Sequence, residues 1–356
     1  MILTKESLYL KAATFDELLS NDFESVPAQK NETELGAKRL AAWCHAASGG
    51  DWNLFSKRLK RDNLKYNYVL TRFSSAKISQ KIKYPQWVKD SLWIQSLYQN
   101  QGLIQKKVLF STKQITLPFE NIFFNLVNES LAVLKASISS KALRNFSNAA
   151  IDDISYQLLK TLSNFLTPYL FERFSKHIQL ANKKTKGTST TKRNKNYKEY
   201  VAFMINNKGI INSFTEKPVM LRMIATITRQ WINTNEELIS RIEADQSEIN
   251  KKFKLKLNTS NNVSKIIGDL SDPHNSGHTV QILELHDRNK FVYKPKDCGL
   301  DFKFAELIEK LNSEKGSLKL RIPKIISKES YGWSEHIDHN PLDQSEDESL
   351  FFKRAG

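Results

Sequence analysis

The chain of 356 residues is 40% hydrophobic and 26% charged, with two cysteines, Cys44 and Cys298. That mixture excludes collagen-like, wholly disordered and disulfide-stapled classes, because it supports a buried core and the distant cysteines form no CxxC. Fifty-four Lys and Arg against 38 Asp and Glu leave a net charge of +16, which attracts nucleic acid, nucleotides, anionic membrane or acidic peptides without choosing among them. The N-terminus has no basic stretch leading into an apolar run, and no segment approaches the ~18 uninterrupted apolar residues of a membrane span. A soluble, cytoplasmic protein of about two structural units is expected.

Residues 1 to about 257 read as helical. Phe119, Ile122, Phe123, Leu126, Leu131 and Leu134 recur at helix spacing after Leu117-Pro118, and so do Ile151, Ile154, Leu158, Leu162, Phe165 and Leu166 until Pro168. Val219 to Trp231 repeats the pattern, and Thr234 with Glu237 spells a capping box for a following helix. Between Lys183 and Lys198 lie seven basic residues, no acidic one and no apolar period. This predicts a mobile basic loop, either a polyanion-binding arm or a solvated insertion.

The register changes at about residue 258. Leu257 to Ile267 is polar and turn-rich, and a turn follows at Asp272-Pro273-His274-Asn275-Ser276-Gly277-His278. Thr279–Leu285 and Lys290–Lys294 then predict a β-hairpin with a four-residue polar connection. Asp301 to Leu311 predicts a helix with Phe304, Leu307, Ile308 and Leu311 on one face. Leu318 to Ile326 is strand-like, and an aromatic Tyr331-Gly332-Trp333 and an acidic stretch close the chain. The expected class is α+β, mainly α-helical: a helical region over 1–257, then a small lobe with a β-hairpin over 258–356.

GxGxxG, GxxxxGKS/T, GxSxG and HExxH are all absent, which removes the chemistries built on them. The candidate site is the turn, hairpin and helix from Asp272 to Leu311. Strand alternation puts Lys294 on one face with Val292, so its ammonium needs an anionic partner such as a nucleotide phosphate. Protein kinases use a strand lysine in this way and orient it with a helix glutamate, a part open to Glu306 or Glu309. Equally, Lys294 could be an ordinary edge-strand lysine in water. Asp272 and His274, one residue apart on a rigid turn, could share a proton in acid–base work, or simply form an Asx-type turn with a packed imidazole. Asp272, His274 and His278 could also hold a metal, although no cysteine or further carboxylate stands at fixed spacing.

Taken together these residues resemble a known family. The run Asp272-Pro273-His274-Asn275-Ser276-Gly277-His278-Thr279-Val280-Gln281-Ile282-Leu283-Glu284, followed by Val292-Tyr293-Lys294-Pro295-Lys296, resembles the dehydratase region of class II lanthipeptide synthetases (LanM-type). Tyr331-Gly332-Trp333-Ser334-Glu335 and Phe351-Phe352-Lys353-Arg354-Ala355-Gly356 extend the match. Weaker similarities lie upstream at Trp43, Phe55–Leu59, Pro85-Gln86-Trp87, Leu117-Pro118-Phe119, Pro218–Arg222, and Arg241 with Asp245.

The resemblance implies a lipid-kinase-like fold with extra helices. It implies an enzyme that phosphorylates Ser and Thr of a precursor peptide with ATP and Mg²⁺, then eliminates phosphate to leave dehydroalanine or dehydrobutyrine. By the family pattern Lys294 holds ATP phosphates, with Glu306 as its partner, and Asp272 and His274 serve the elimination. The basic surface would suit a precursor with an acidic leader. The family's Asp-x-His-x-x-Asn and Asp-x-Glu residues, and the zinc ligands of its cyclase domain, have no counterpart here. The chain therefore reads as the N-terminal portion of such a dehydratase, with an incomplete nucleotide lobe and no activity alone. The competing expectation is a basic helical protein that binds nucleic acid or an acidic partner. Steep salt dependence would mark nucleic-acid binding.

Overall fold

Apolar residues spaced three and four apart make helices wherever a neighbouring face can cover them. The computed structural model shows the result for residues 2–80, 82–99, 116–182, 190–206, 208–257, 262–314, 320–338, 348–349 and 351–353. The chain is a mainly helical α+β protein with a small antiparallel sheet. It divides into two compact units: residues 1–103 with 202–226, and residues 104–201 with 227–356. The expected division at 257/258 follows the change from helix to strand, whereas packing groups the sheet with helices on its N-terminal side.

The first unit contains α1 (Lys5–Ala12), α2 (Phe15–Leu19), β1 (Phe23–Ser25), α3 (Lys30–Ser48), α4 (Trp52–Arg61), α5 (Tyr66–Ser74), β2 (Ala76–Ile78) and α6 (Gln86–Gln99). β1 and β2 pair antiparallel, and the fully buried Tyr9, Phe23, Phe55 and Phe73 mark the core. Gly36 lets α3 approach α5, because a Cβ there would meet the Ser74 backbone at 2.8 Å. Glu17 on α2 receives the Trp87 indole N–H at 2.8 Å and pairs with Arg222, whose guanidinium lies 4.1 Å from the Trp87 ring centre.

The second unit is built on α7 (Phe124–Ser137), α8 (Ser140–Leu143) and α9 (Asn148–Asn182). α10 (Thr190–Asn206) enters it from residue 190 to 201, α11 (Gly209–Glu216) belongs to the first unit, and most of α12 (Pro218–Phe253) belongs to the second. Three expectations are corrected here. α9 runs through Pro168 without ending, and beside the proline the Thr167 hydroxyl bonds the Ser163 carbonyl. α12 runs through Thr234, which caps nothing: the Thr234 hydroxyl and the Asn235 amide both bond back to the Trp231 carbonyl. Residues 190–198 are helical rather than loop, since Tyr197 and Tyr200 anchor that end of α10 against Phe119 and Phe174. Residues 183–189 lie outside the described residues.

The sheet follows: β3 (Val263–Ile267), β4 (Gln281–Leu285), β5 (Lys290–Lys294), then α13 (Gly299–Ser313), β6 (Ile325–Ser327) and β7 (Gly332–Glu335). Its order is β3-β4-β5-β7-β6, and every pair is antiparallel. The expected hairpin forms with its four-residue connection, Leu283, Leu285, Phe291 and Tyr293 on the buried face and Val292 and Lys294 on the other. β3 replaces the turn expected up to Ile267 and is fixed to α9, where Asp153 accepts the Ile266 N–H at 3.0 Å. Burial raises the pKa of that carboxyl. The strand expected over 318–326 is confined to Ile325–Ser327, with 320–324 irregular and 318–319 outside the described residues.

Candidate functional site

The pairing register brings two sequence-derived candidates to one end of the sheet. Gln281, the first residue of β4, faces Tyr293 on β5. The chain ahead of Gln281 is the loop carrying Asp272 and His274, and the residue after Tyr293 is Lys294. Loop and lysine therefore flank the same edge of the hairpin.

The loop is a small hairpin of its own. His274 and His278 exchange backbone hydrogen bonds at 2.9 and 2.8 Å. Between them Asn275, Ser276 and Gly277 all have positive φ, at 41°, 68° and 95°. Asn tolerates this conformation through local hydrogen bonding and Gly has no Cβ to clash, but Ser does not usually adopt it. Gly277 is also close-packed, since a Cβ there would stand 3.1 Å from the Gln230 Cβ. Asp272 and His274 are both exposed, and neither side chain has a hydrogen bond or ion pair among the described residues. They do not bond each other, so the shared proton read from their spacing is absent from this conformation. His278 points elsewhere: its Nε2 lies 3.2 Å from Glu237 Oε2 on α12. Among the described residues no group of three His, Cys, Asp or Glu could hold a metal ion.

Lys294 is partly exposed, and its ammonium lies 3.4 Å from Asp301 Oδ2, in the first turn of α13. Lys296 reaches the same carboxylate at 3.9 Å. Glu306, expected to orient Lys294, pairs instead with Lys303 at 2.8 Å in water. α13 begins at Gly299, two residues before the expected start, and this sets Asp301 beside the strand end. Lys294 and Asp301 are both only partly buried, so the pair stays screened by water and an incoming anion could displace Asp301 at modest cost. Beneath this corner Cys298 is buried against Gly332, and burial pushes its thiol pKa up, away from a reactive thiolate.

Below the hairpin a polar chain binds α12 to the sheet, and three of its members are spaced four residues apart along the helix. Glu237 pairs with Arg241 at 2.8 Å and contacts His278. Arg241 donates to the Tyr293 hydroxyl and lies 4.2 Å from the Tyr331 ring centre. Asp245 is buried and accepts from Tyr331 Oη and from Trp333 Nε1, both at 2.8 Å, with Lys328 at 3.2 Å. Burial and the Asp245 hydrogen bond push the Tyr331 pKa up to about 12. Residue spacing could have shown this chain, because positions four apart on a helix share a face. The sequence reading assigned Glu237 to a capping box with Thr234 and gave Arg241 and Asp245 no role, whereas Glu237 pairs with Arg241 and His278.

Comparison with known proteins finds partial similarities in this region. Residues 218–356 match DUF4135, a domain of unknown function. The DUF4135 segment begins with α12 and includes the whole five-stranded sheet, the Asp272–His278 loop and Lys294. The chain is also similar to the lacticin 481/lactococcin biosynthesis protein LcnDR2 of Lactococcus lactis subsp. lactis, 25% identical over 137 residues. That similarity spans 35% of this chain and only 14% of LcnDR2.

Proposed function

We propose that this chain acts in lantibiotic biosynthesis as the N-terminal portion of a LanM-type dehydratase, which phosphorylates Ser and Thr of a precursor peptide and then eliminates phosphate. The observation that carries it is the register that puts Lys294 and the Asp272–His278 loop at one end of the sheet, within a DUF4135 segment whose pattern resembles that family. Similarity to LcnDR2 supports the lantibiotic setting. In this reading the sheet with α13 is a kinase-like lobe, and Lys294 takes the nucleotide phosphates after they displace Asp301. His274 and Asp272, exposed on the loop at the same end of the sheet, move protons during elimination, which removes an α-proton as phosphate leaves. Glu306 is outside the lysine's reach in this conformation, and Asp301 fills its part.

Phosphate fits the Lys294–Lys296 corner by charge. Mg²⁺ does not fit, because the described residues assemble no set of ligands for it. The net charge of +16 suits an acidic leader, and the cytoplasm suits an ATP-using enzyme. The test is binding of a fluorescent ATP analogue to the chain. Lys294→Ala should weaken it at least tenfold while Glu306→Gln changes it little. Unchanged affinity in Lys294→Ala removes the nucleotide role. In an enzyme completed by the downstream dehydratase residues, mass spectrometry of a co-expressed precursor then separates phosphorylation from dehydration, and a Lys294→Ala form that still dehydrates the peptide ends the proposal.

A further inference from the structure

Where α4 turns into α5, the first unit holds an open groove of about 380 Å³. Asn63 makes the turn. At φ 54° it is left-handed, and the Leu64 N–H reaches back to the Leu59 carbonyl at 2.8 Å, which closes α4 and returns Lys65 and Tyr66 towards it. Phe55 and Leu59 are buried and close the bottom of the groove. The apolar surface that a ligand can reach is the partly exposed Leu64 and two rings, Trp52 and Tyr66, which are 47 and 48% exposed. The ring centres stand 6.5 Å apart at an angle of 62°. Two adjoining aromatic rings left this open form an apolar patch of the kind that anchors a partner.

The rim of the groove is cationic. Lys60 and Lys65 line it, both are exposed, and neither side chain has a hydrogen bond or ion pair among the described residues. The acids that bracket α4 are engaged elsewhere. Asp51 caps the helix through the Asn53 and Leu54 N–H groups, and Asp62 pairs with Arg58 and Arg61 at 3.3 and 3.2 Å. Apolar rings flanked by two uncommitted ammonium groups are complementary to a segment that carries carboxylates beside apolar side chains. Nucleic acid fits less well, since bases stack on successive open ring faces and phosphate favours the arginine fork. Here Trp52 meets Phe55 and Tyr66 at 84° and 62°, so the rings are walls rather than parallel platforms, and neither Arg58 nor Arg61 lines the groove. A membrane surface also fits poorly: the exposed Leu54, two residues from Trp52 on a helix, lies on the opposite side of α4, so no single apolar face forms.

We propose that this groove docks a short acidic peptide segment, its apolar side chains between Trp52 and Tyr66 and its carboxylates on Lys60 and Lys65. The proposal rests on the reading that the chain handles a precursor with an acidic leader, and it gives that leader a place on the first unit, outside residues 218–356. The experiment follows the fluorescence anisotropy of fluorescein-labelled Gly-Glu-Leu-Glu-Asp-Phe-Leu-Glu-Gly-amide titrated with the full chain. Two control peptides carry serine for every apolar residue, or Gln and Asn for every Glu and Asp, and each should bind about tenfold more weakly. Lys60→Glu combined with Lys65→Glu should weaken the parent peptide at least about tenfold, and Tyr66→Ala should do so by a similar factor. Lys11→Glu combined with Lys38→Glu makes the same change in net charge at exposed positions off the groove and should leave affinity nearly unchanged. All these side chains are exposed, so the variants keep the fold, which far-ultraviolet circular dichroism checks.

Equal losses in the two lysine pairs, or a serine-substituted peptide that binds as well as the parent, reduce the effect to bulk charge and overturn the groove. Failure of the parent peptide to bind overturns it too. So does labelled oligo-deoxythymidine, or a phosphatidylserine vesicle, that is held through Lys60 and Lys65 more tightly than the peptide. Each of these results leaves the Lys294→Ala nucleotide test standing. Failure of that test would instead sink the proposed function while the peptide titration still reported on the groove.

Discussion

Asp245→Ala tests whether the polar chain under the hairpin holds the sheet to α12. Asp245 is 7% exposed and Trp333 fully buried, so the substitution leaves the Trp333 indole N–H without an acceptor and strips the Tyr331 hydroxyl of its own. Hydrogen bonds to a charged group contribute ~1.5–3 kcal/mol each, and a buried donor left unmade costs ~1–3 kcal/mol. Lys328 keeps Glu248 at 2.6 Å, which spares part of its share. These overlap rather than add, and breaking a buried charged cluster typically costs ~3–5 kcal/mol. At ~2–4 °C per kcal/mol for a unit of this size, the melting transition of the second unit should fall by roughly 6–20 °C. Urea unfolding followed by near-ultraviolet circular dichroism of the buried Trp333 reads it directly. Asp245→Asn keeps one carbonyl acceptor and should lose about half as much. An alanine variant within ~1 kcal/mol of wild type would show that the chain of contacts is ornamental and the apolar packing of the sheet sufficient.

Three other outcomes follow from the same structure. Burial pulls the Glu17 pKa upward, but hydrogen bonds from Arg222, the Thr14 N–H and Trp87 outweigh it and the net value is lowered. Its folded pKa thus lies below the unfolded ~4.3, so Glu17 stabilises the first unit above that pH and the benefit disappears as pH falls through the lowered value. The stability gap between wild type and Glu17→Gln should therefore shrink from about pH 5 to pH 3, and a constant gap across that window contradicts the assignment. Gly332→Ala would place a Cβ 2.6 Å from Cys298 Sγ and 2.8 Å from the Ile326 carbonyl. Overpacking between two fixed neighbours should cost ~1–3 kcal/mol in urea unfolding, and a neutral result would mean that β7 shifts freely. Gly36→Ala, facing the Ser74 backbone at 2.8 Å, should separate α3 from α5 and lower first-unit stability by a similar ~1–3 kcal/mol, measured in the same way.

The hairpin was legible because Gln281–Leu285 and Lys290–Lys294 alternate cleanly around four polar residues. β3 was not, since a bulge between Val263 and Lys265 breaks the period by which its buried residues could be recognised. Pro168 and Thr234 are strong local punctuation, yet packing on both sides carries α9 and α12 through them; local preference of that size yields to burial. At the site, residue types pointed correctly to a lysine needing an anion, but the partner depended on where α13 begins. Asp301, in the first turn of α13, supplies the counter-charge, while Glu306 pairs with Lys303.

The apolar face of α13 lies largely open among the described residues. Leu300, Phe304, Leu307 and Leu311 are 84, 62, 52 and 50% exposed, and no residue of the helix is buried. An apolar stripe of this kind in water takes up environment-sensitive dyes and favours self-association. Solvatochromic dye melts of this chain should start from a bright baseline and understate its transition. Column retention should drift with protein concentration, so intrinsic tryptophan fluorescence at low concentration is the sounder readout of folding.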